Sequence, residues 1–162
     1  MKKQILQILI IAFISVAGFI SAPAQKKMLE VKIYLRKTGA NYETKYPSGL
    51  FAVKRKVDRK SPLRSALESL TDGATAEEEA KQNLASSTFG IKFVSVRIKN
   101  KTAYTRFTMP EEARFPGDGA PFIFQEAVEK TALQFRGVKR VVVCLDGILD
   151  FGNEEDAPPK KC

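Results

Sequence analysis

Residues 61–79 read SPLRSALESLTDGATAEEE, and this stretch predicts two short helices in succession. Ser61 followed by Pro62 is a typical helix start, because proline is favoured at the first helical position. The apolar residues after it recur with the spacing of one helical face: Leu63, Ala66, Leu67 and Leu70. Asp72-Gly73 then ends the first helix, so we expect an amphipathic helix with one buried stripe.

The second helix is predicted by a capping box directly after that end. Thr75 and Glu78 have the spacing at which each side chain bonds the other residue's backbone N–H group. Glu77 and Glu79 add negative charge where a helix N-terminus favours it. We expect this helix to run to about Leu84.

Strands are predicted upstream of the two helices. Residues 29–36 alternate apolar and polar side chains, which is the pattern of a half-buried strand. The polar segment 37–49 contains glycine, asparagine and proline and predicts a loop. Phe51, Val53 and Val57 then resume the alternation, so a second strand follows the loop.

A hairpin, a helix and a strand are predicted downstream. Residues 94–98 and 103–107 alternate on either side of Asn100-Lys101, which indicates an antiparallel pair. An apolar stripe from Phe124 to Phe135 predicts a third helix that ends at Gly137. Residues 138–145 are largely apolar, which suits a strand covered on both faces, and the turn Asp146-Gly147 follows.

These elements predict an α+β fold in which helices pack on a sheet. We expect a two-layer sandwich with a mixed or antiparallel sheet of about five strands and two to three helices, in the order ββααββαβ. Residues 28–151 form a single domain in this interpretation. Residues 152–162 are polar and contain proline, so they predict a disordered tail.

The N-terminus has the pattern of a secretory signal peptide. Lys2 and Lys3 precede an uncharged run over residues 8–20, and Ser21-Ala22-Pro23-Ala24 supplies a cleavage pattern of small residues. We expect residues 1–24 to be removed after Ala24, which places the protein outside the cytoplasm, in the envelope or secreted. The alternative is an uncleaved membrane anchor over residues 5–24.

The two cysteines predict no disulfide. Cys144 lies in the apolar run of residues 141–145, whereas Cys162 follows a charged segment. We therefore expect Cys144 to be a buried small apolar residue and Cys162 to be an exposed thiol. The residue after the expected cleavage site is Gln25, so no lipid-carrying cysteine is expected there.

Composition excludes several classes of catalytic site. The sequence contains no histidine, which excludes Ser-His-Asp and Cys-His catalysis and any histidine-containing metal site. Two cysteines cannot build an all-cysteine zinc site, so we expect no metal and no cofactor. Glu126 and Glu129 could serve carboxylate-based hydrolysis, but on a charged helix face they are better explained as solvent contacts.

A cluster of basic residues is the candidate binding feature. The net charge is +9, which favours acidic partners, although the expected export argues against nucleic acid. We define the basic patch as the cluster on and after the second strand: Lys54, Arg55, Lys56, Arg59 and Lys60. Two interpretations of this patch remain. Either it contacts a polyanion or an acidic partner, or it is a solvated face that protects a sheet edge.

Three stretches together resemble the GerMN domain family of spore-germination and cell-envelope proteins. These stretches are residues 63–78, 86–107 and 125–147. The positions that carry the family pattern are Leu67, Leu70, Gly73, Glu78, Thr131, Gly137, Val138, Val141, Asp146 and Gly147. Their order and spacing fit the family across nearly the whole expected mature domain.

The resemblance implies a module that binds or assembles and has no enzymatic activity. The implied partners are an envelope protein or a second copy of the chain. A module that binds anionic cell-wall polymer, or a small hydrolase that uses carboxylates alone, remains the alternative. The lack of tryptophan removes the commonest sugar-stacking residue.

Cleavage is the first testable prediction. The intact mass of the protein exported from its host should correspond to a chain that begins at Gln25. Retention of residues 1–24 in the exported protein would show that the apolar run is an anchor.

Overall fold

The computed structural model describes residues 27–38, 49–149, 151 and 160–162. The predicted signal peptide and residues 152–159 of the predicted tail lie outside these ranges. Within the described ranges, no helix has both the length and the apolar character needed to cross a bilayer.

The architecture is α+β, as predicted. In chain order the elements are β1 (Met28–Lys37), β2 (Leu50–Asp58), α1 (Pro62–Asp72), α2 (Ala76–Gln82), β3 (Leu84–Ala85), β4 (Lys92–Lys99), β5 (Thr102–Thr108), α3 (Ala120–Leu133) and β6 (Arg140–Leu145). The order matches the expected one except for the two-residue strand β3, which is too short to give an alternation signal.

The first sheet has the strand order β2-β1-β3. β1 and β2 are antiparallel, in a register that runs from Met28 opposite Asp58 to Arg36 opposite Leu50. β3 pairs only with the end of β1, at Arg36 and Lys37. The predicted alternation is correct here, because Val31, Ile33 and Leu35 are buried on the inner face.

The second sheet has the order β4-β5-β6. Asn100 and Lys101 both adopt positive φ, which is the conformation of a tight hairpin turn, and β4 and β5 pair antiparallel as predicted. α3 crosses over between β5 and β6, so these two strands are parallel. A bulge between Phe93 and Ser95 leaves Val94 half exposed.

The expectation of one sheet of about five strands is corrected, because the described strands form two sheets of three. The reason lies at the free edge of β1, where the side chain of Gln134 replaces a neighbouring strand. The Lys32 N–H group donates to Gln134 Oε1 at 2.9 Å, and Gln134 Nε2 donates to the Lys32 carbonyl at 2.7 Å. Because this part of the edge is already hydrogen-bonded, no strand of the second sheet can continue the first there.

One hydrophobic core joins both sheets through α1 and α3. The inner side of α1 contributes the predicted stripe of Leu63, Ala66, Leu67 and Leu70, all buried. α1 contacts β1, β2 and β4, while α3 contacts β1 and β6. The T-shaped contact of Phe107 with Phe124, whose ring centroids are 5.1 Å apart, ties the second sheet to α3.

A disulfide joins Cys144 to Cys162, so the prediction that these residues do not pair is wrong. Cys144 is buried as expected, at 3% exposure. However, Val143 and Leu145 face the core, and alternation therefore turns the Cys144 side chain to the opposite, outer face of β6. There residues 160–162 return alongside the chain: Lys161 bridges to Ile148, and the Cys162 N–H group donates to the Gly147 carbonyl at 2.9 Å.

This disulfide predicts a measurable contribution to stability. Cys162→Ser should lower the free energy of unfolding by about 3 kcal/mol, because the loop that the bond closes in the unfolded chain is then free. The sequence separation is 18 residues, and Cys162 is exposed, so the substitution leaves no cavity. Urea denaturation followed by circular dichroism measures the difference.

Reductant provides the control for this experiment. It should destabilise the unmodified protein by a similar amount and should have no effect on Cys162→Ser. An unmodified protein whose stability is unchanged by reductant would contradict the assigned bond.

Candidate functional site

The residues that carry the GerMN pattern in α1, and in the turn after it, support the fold. Leu67 and Leu70 are fully buried in the core. Gly73 has φ +82°, and a Cβ atom placed there would lie 3.1 Å from Ser86 Cβ. Only glycine adopts this positive φ without strain and also avoids the close contact with Ser86. Gly73 therefore fixes the turn between α1 and α2.

The pattern residues around α3 are also mainly internal. Thr131 and Val138 are buried, and the Thr131 hydroxyl has no hydrogen-bond partner among the described residues. Val141 is half-buried and packs against the core. Gly137 is exposed beside open space, and α3 ends before it, at Leu133, so Gly137 is not the C-cap that we predicted.

Asp146 and Gly147 form the turn after β6. The Asp146 carboxylate accepts from the Thr108 hydroxyl at 2.7 Å and from the Met109 N–H group at 3.2 Å. Gly147 has φ +85°, which glycine adopts without strain. This turn closes the end of the β5–β6 pair, and it presents no reactive group.

The structure does not bring the basic patch together on one face. Lys54 and Lys56 lie on the outer face of β2 as predicted, but Arg55 points inward with Val53 and Val57. The Arg55 guanidinium forms two hydrogen bonds of 2.6 Å to the two carboxylate oxygens of Glu78. Arg55 is therefore a structural link between β2 and α2 and is not available to a partner.

Glu78 is held as a carboxylate by this geometry. The Arg55 hydrogen bonds, aided by the Thr75 N–H group at 2.9 Å, lower the pKa of Glu78 from the usual 4.5 to about 2, against the opposing effect of burial. The Thr75 hydroxyl accepts from the Glu78 N–H group, which completes the predicted capping box. The Glu78 carboxylate thus caps the N-terminus of α2 and also holds Arg55 on the inner side of β2.

The remaining patch residues are exposed. Lys54 pairs with Glu30 at 2.8 Å on the outer face of β2 and β1, and its hydrogen bond lowers the pKa of Glu30. Lys56, Arg59 and Lys60 form no ion pair with a described residue. Whether these four residues contact a partner stays a prediction.

A second cationic surface, missed by the sequence analysis, covers the outer face of the second sheet. The register aligns three rows across β4, β5 and β6: Ser95–Arg106–Cys144, Arg97–Tyr104–Val142 and Lys99–Thr102–Arg140. The basic residues of these rows are all exposed. The sequence contained a signal for the β4–β5 part of this surface, because the Asn100-Lys101 hairpin fixes the pairing of β4 with β5.

A groove of about 460 Å³ lies on this face, beside the disulfide. It is lined by Ser95, Arg97, Tyr104, Thr105, Arg106, Val142, Cys144, Leu149, Lys161 and Cys162. The Arg97 guanidinium lies 5.8 Å from the centre of the Tyr104 ring. We call this feature the disulfide groove.

The two carboxylates considered for hydrolysis already interact with other side chains of their own helix. Glu126 pairs with Lys130 at 3.1 Å, and Glu129 accepts from Gln125 at 2.9 Å, both within α3. Across the described ranges, no cluster of three metal-ligating side chains occurs. The arrangement that remains is a surface able to bind, with cations and an aromatic ring on an open sheet.

Comparison with known families gives one match over most of the described chain. The Germane family, described as "Sporulation and spore germination", matches residues 32–149. No curated protein matches the chain.

Solved structures of the GerMN domain have a similar fold. The first GerMN domain of the sporulation protein GerM from Bacillus subtilis has a TM-score of 0.53 and 18% identity, over 82% of this chain and 97% of that one. The tandem GerMN domains of the same protein give 0.51 and 14%, over 89% of this chain and 49% of that one. This chain therefore spans about half of the tandem structure, and at these identities the likeness concerns the fold alone.

The Arg55–Glu78 pair yields a prediction about stability and pH. Glu78→Gln should lower the free energy of unfolding at neutral pH by about 2 kcal/mol, because charge-assisted hydrogen bonds are lost and Arg55 keeps no counter-ion. The folded pKa of Glu78 is about 2 and the unfolded value is near 4.5, so the carboxylate stabilises the fold above pH 4.5. That contribution is lost as the pH falls through about 2.

Urea denaturation of both proteins at a series of pH values should therefore show a stability difference that shrinks below pH 4.5. Glu77→Gln is the matched control on the same helix. Glu77 pairs with Lys81, but both side chains are more than 70% exposed, so the control should change stability by less than about 0.5 kcal/mol. A stability difference for Glu78→Gln that does not vary with pH would contradict this explanation.

Proposed function

This chain belongs to the Germane family of sporulation and spore germination, and from that premise we propose that it is an exported, non-catalytic module that binds an envelope protein or a second copy of itself. In this proposal the domain contributes a surface to an assembly and transforms no substrate. The family match supports the link to sporulation and germination, and the surface supports the binding role.

One observation carries the binding role: the second sheet turns an open face away from the shared core. Its inner residues Ala103, Phe107 and Val143 are buried against the helices. On the outer face, Tyr104 is 39% exposed, and cations surround it in every row. Among the described residues, Leu149, Lys161 and Cys162 border this face on one side, and Glu129 and Leu133 of α3 border it beside Tyr104 and Arg140.

The disulfide supports export. Bonds of this kind persist in oxidising compartments outside the cytoplasm and are rare inside it. Cys144 and Cys162 are the only cysteines in the sequence, and both are used in the bond. This agrees with the secretory pattern of residues 1–24.

Two features support a role without catalysis. The sequence contains no histidine, the commonest general acid and base. The carboxylate with the strongest pKa shift, Glu78, is lowered by its structural pair with Arg55 and not raised as an acid catalyst would need. The two carboxylates that the sequence suggested for hydrolysis, Glu126 and Glu129, already form an ion pair and a hydrogen bond within α3.

A wall-polymer-binding module is the second candidate function. It is favoured by Lys56, Arg59 and Lys60, at and after the end of β2, which are exposed and form no ion pair with a described residue. Contacts of this kind with a polyanion need only accessible positive charge, and they weaken steeply with salt.

Photo-crosslinking in living cells tests the binding role. A photoreactive amino acid at Tyr104 should give a defined adduct with an envelope protein or with a second copy of the chain, because it would stand in the proposed contact. Mass spectrometry of the purified adduct identifies the partner. The same group at Glu77, on the exposed side of α2, is the control position and should give no adduct.

Other outcomes separate the candidate functions. Adducts with wall polymer alone at Lys56, with no protein adduct at Tyr104, would favour the polymer-binding module. Release of soluble fragments from purified cell wall by the protein would contradict the non-catalytic role.

A further inference from the structure

The disulfide groove has a composition that defines the chemistry of its occupant. Three cations line it, Arg97 on β4, Arg106 on β5 and Lys161 near the C-terminus, and no carboxylate side chain is among the described residues that line it. Neither Arg106 nor Lys161 forms an ion pair with a described residue. The side chains that line the groove therefore carry net positive charge.

The register brings two of these cations close together. Arg97 stands opposite Tyr104, two residues from Arg106 on the same face, so Arg97 and Arg106 are diagonal neighbours. Such neighbours are separated by about 7 Å at their backbones. Two cations on neighbouring strands favour a ligand with two negative charges at a similar spacing.

The same groove has an apolar floor. Tyr104, Val142, Leu149 and the disulfide provide it. A polymer of phosphate groups brings negative charge but no apolar group to cover this floor. A peptide brings both, and in an extended peptide alternate side chains on one face are also about 7 Å apart.

We propose that the disulfide groove binds an acidic peptide segment of a partner protein, in which alternate carboxylates meet Arg97 and Arg106 and a neighbouring apolar side chain covers Tyr104 and Val142. The peptide proposal rests on the proposed function, and it specifies the chemistry of the partner segment that would bind in the disulfide groove. Arg97, stacked on Tyr104, is held by that ring and orients one carboxylate. Lys161 adds a third cation to the lining, next to Cys162 in sequence.

Peptide binding to the purified protein tests the proposal. The probe is a fluorescent peptide of sequence Ser-Glu-Ser-Glu-Ser-Leu-Ser, and fluorescence anisotropy at physiological salt gives Kd. The double variant Arg97→Glu with Arg106→Glu should weaken binding by at least about tenfold, because both carboxylates then meet like charge. Arg97→Lys with Arg106→Lys should retain part of the affinity, since it keeps the charge.

A matched control separates local contact from overall charge. Lys32→Glu with Lys81→Glu makes the same change in net charge at exposed positions on β1 and α2. It should alter Kd less than about twofold, because screening limits the reach of surface charges to about 8 Å at physiological salt. Circular dichroism and thermal unfolding of each variant establish that it is folded. Equal loss of affinity in both double variants would overturn the groove as the site.

Two further probes test the class of occupant. The peptide with leucine replaced by serine should bind more weakly by about fivefold or more, because the apolar floor is left uncovered. A poly(glycerol phosphate) polymer that bound as tightly as the peptide, with the same dependence on Arg97 and Arg106, would overturn the peptide proposal. If no peptide bound while Tyr104 still gave protein adducts in cells, the groove proposal would fail and the proposed function would stand.

Discussion

The hydrophobic core that the two sheets share determines what the rest of the molecule can do. Leu67 and Leu70 of α1 and Phe124 of α3 are fully buried between elements of both sheets. Each such side chain contributes about 1.5–3 kcal/mol on burial, so the two sheets are held to the same pair of helices. Because both inner faces are committed to this core, the sheets can bind a partner only through their outer faces and edges.

Polar contacts and the disulfide then determine which of those surfaces remain exposed. Gln134 occupies the free edge of β1, and Arg55 with Glu78 fixes the inner side of β2 to α2. The disulfide draws Cys162 onto the outer face of β6 and makes it one wall of the groove. The rest of the outer face of β4 and β5 presents exposed arginines beside an exposed tyrosine.

The sequence predicted the parts of this structure that depend on local patterns. Alternation in β1, the stripe of α1, the capping box at Thr75 and Glu78, and the hairpin at Asn100-Lys101 are all confirmed. Each of these signals comes from residues within a few positions of one another. The same alternation also shows that Arg55 shares a face with Val53 and Val57, so its inward position could have been inferred from β2 alone.

The features that were missed depend on tertiary contacts. The split into two sheets follows from Gln134, whose side chain meets Lys32 at a sequence separation of 102 residues. The disulfide depends on the position of residues 160–162 beside β6, although an even number of cysteines together with a secretory pattern was a signal for it. The β4–β5 part of the cationic face could be inferred from the hairpin, but placing Arg140 and Cys144 beside it needed the register of β5 with β6, which lie on either side of α3 in the sequence.

The central claim is that this family member works through the outer face of its second sheet, and the most direct measurement maps the contacted face. Nuclear magnetic resonance spectra of the isotopically labelled protein, with and without the partner recovered by crosslinking, report which residues change environment. The account predicts the largest shift changes at Arg97, Tyr104, Arg106 and Cys162, with residues of β2 unchanged. Shift changes concentrated on β2, or on the exposed side of α2, would contradict it.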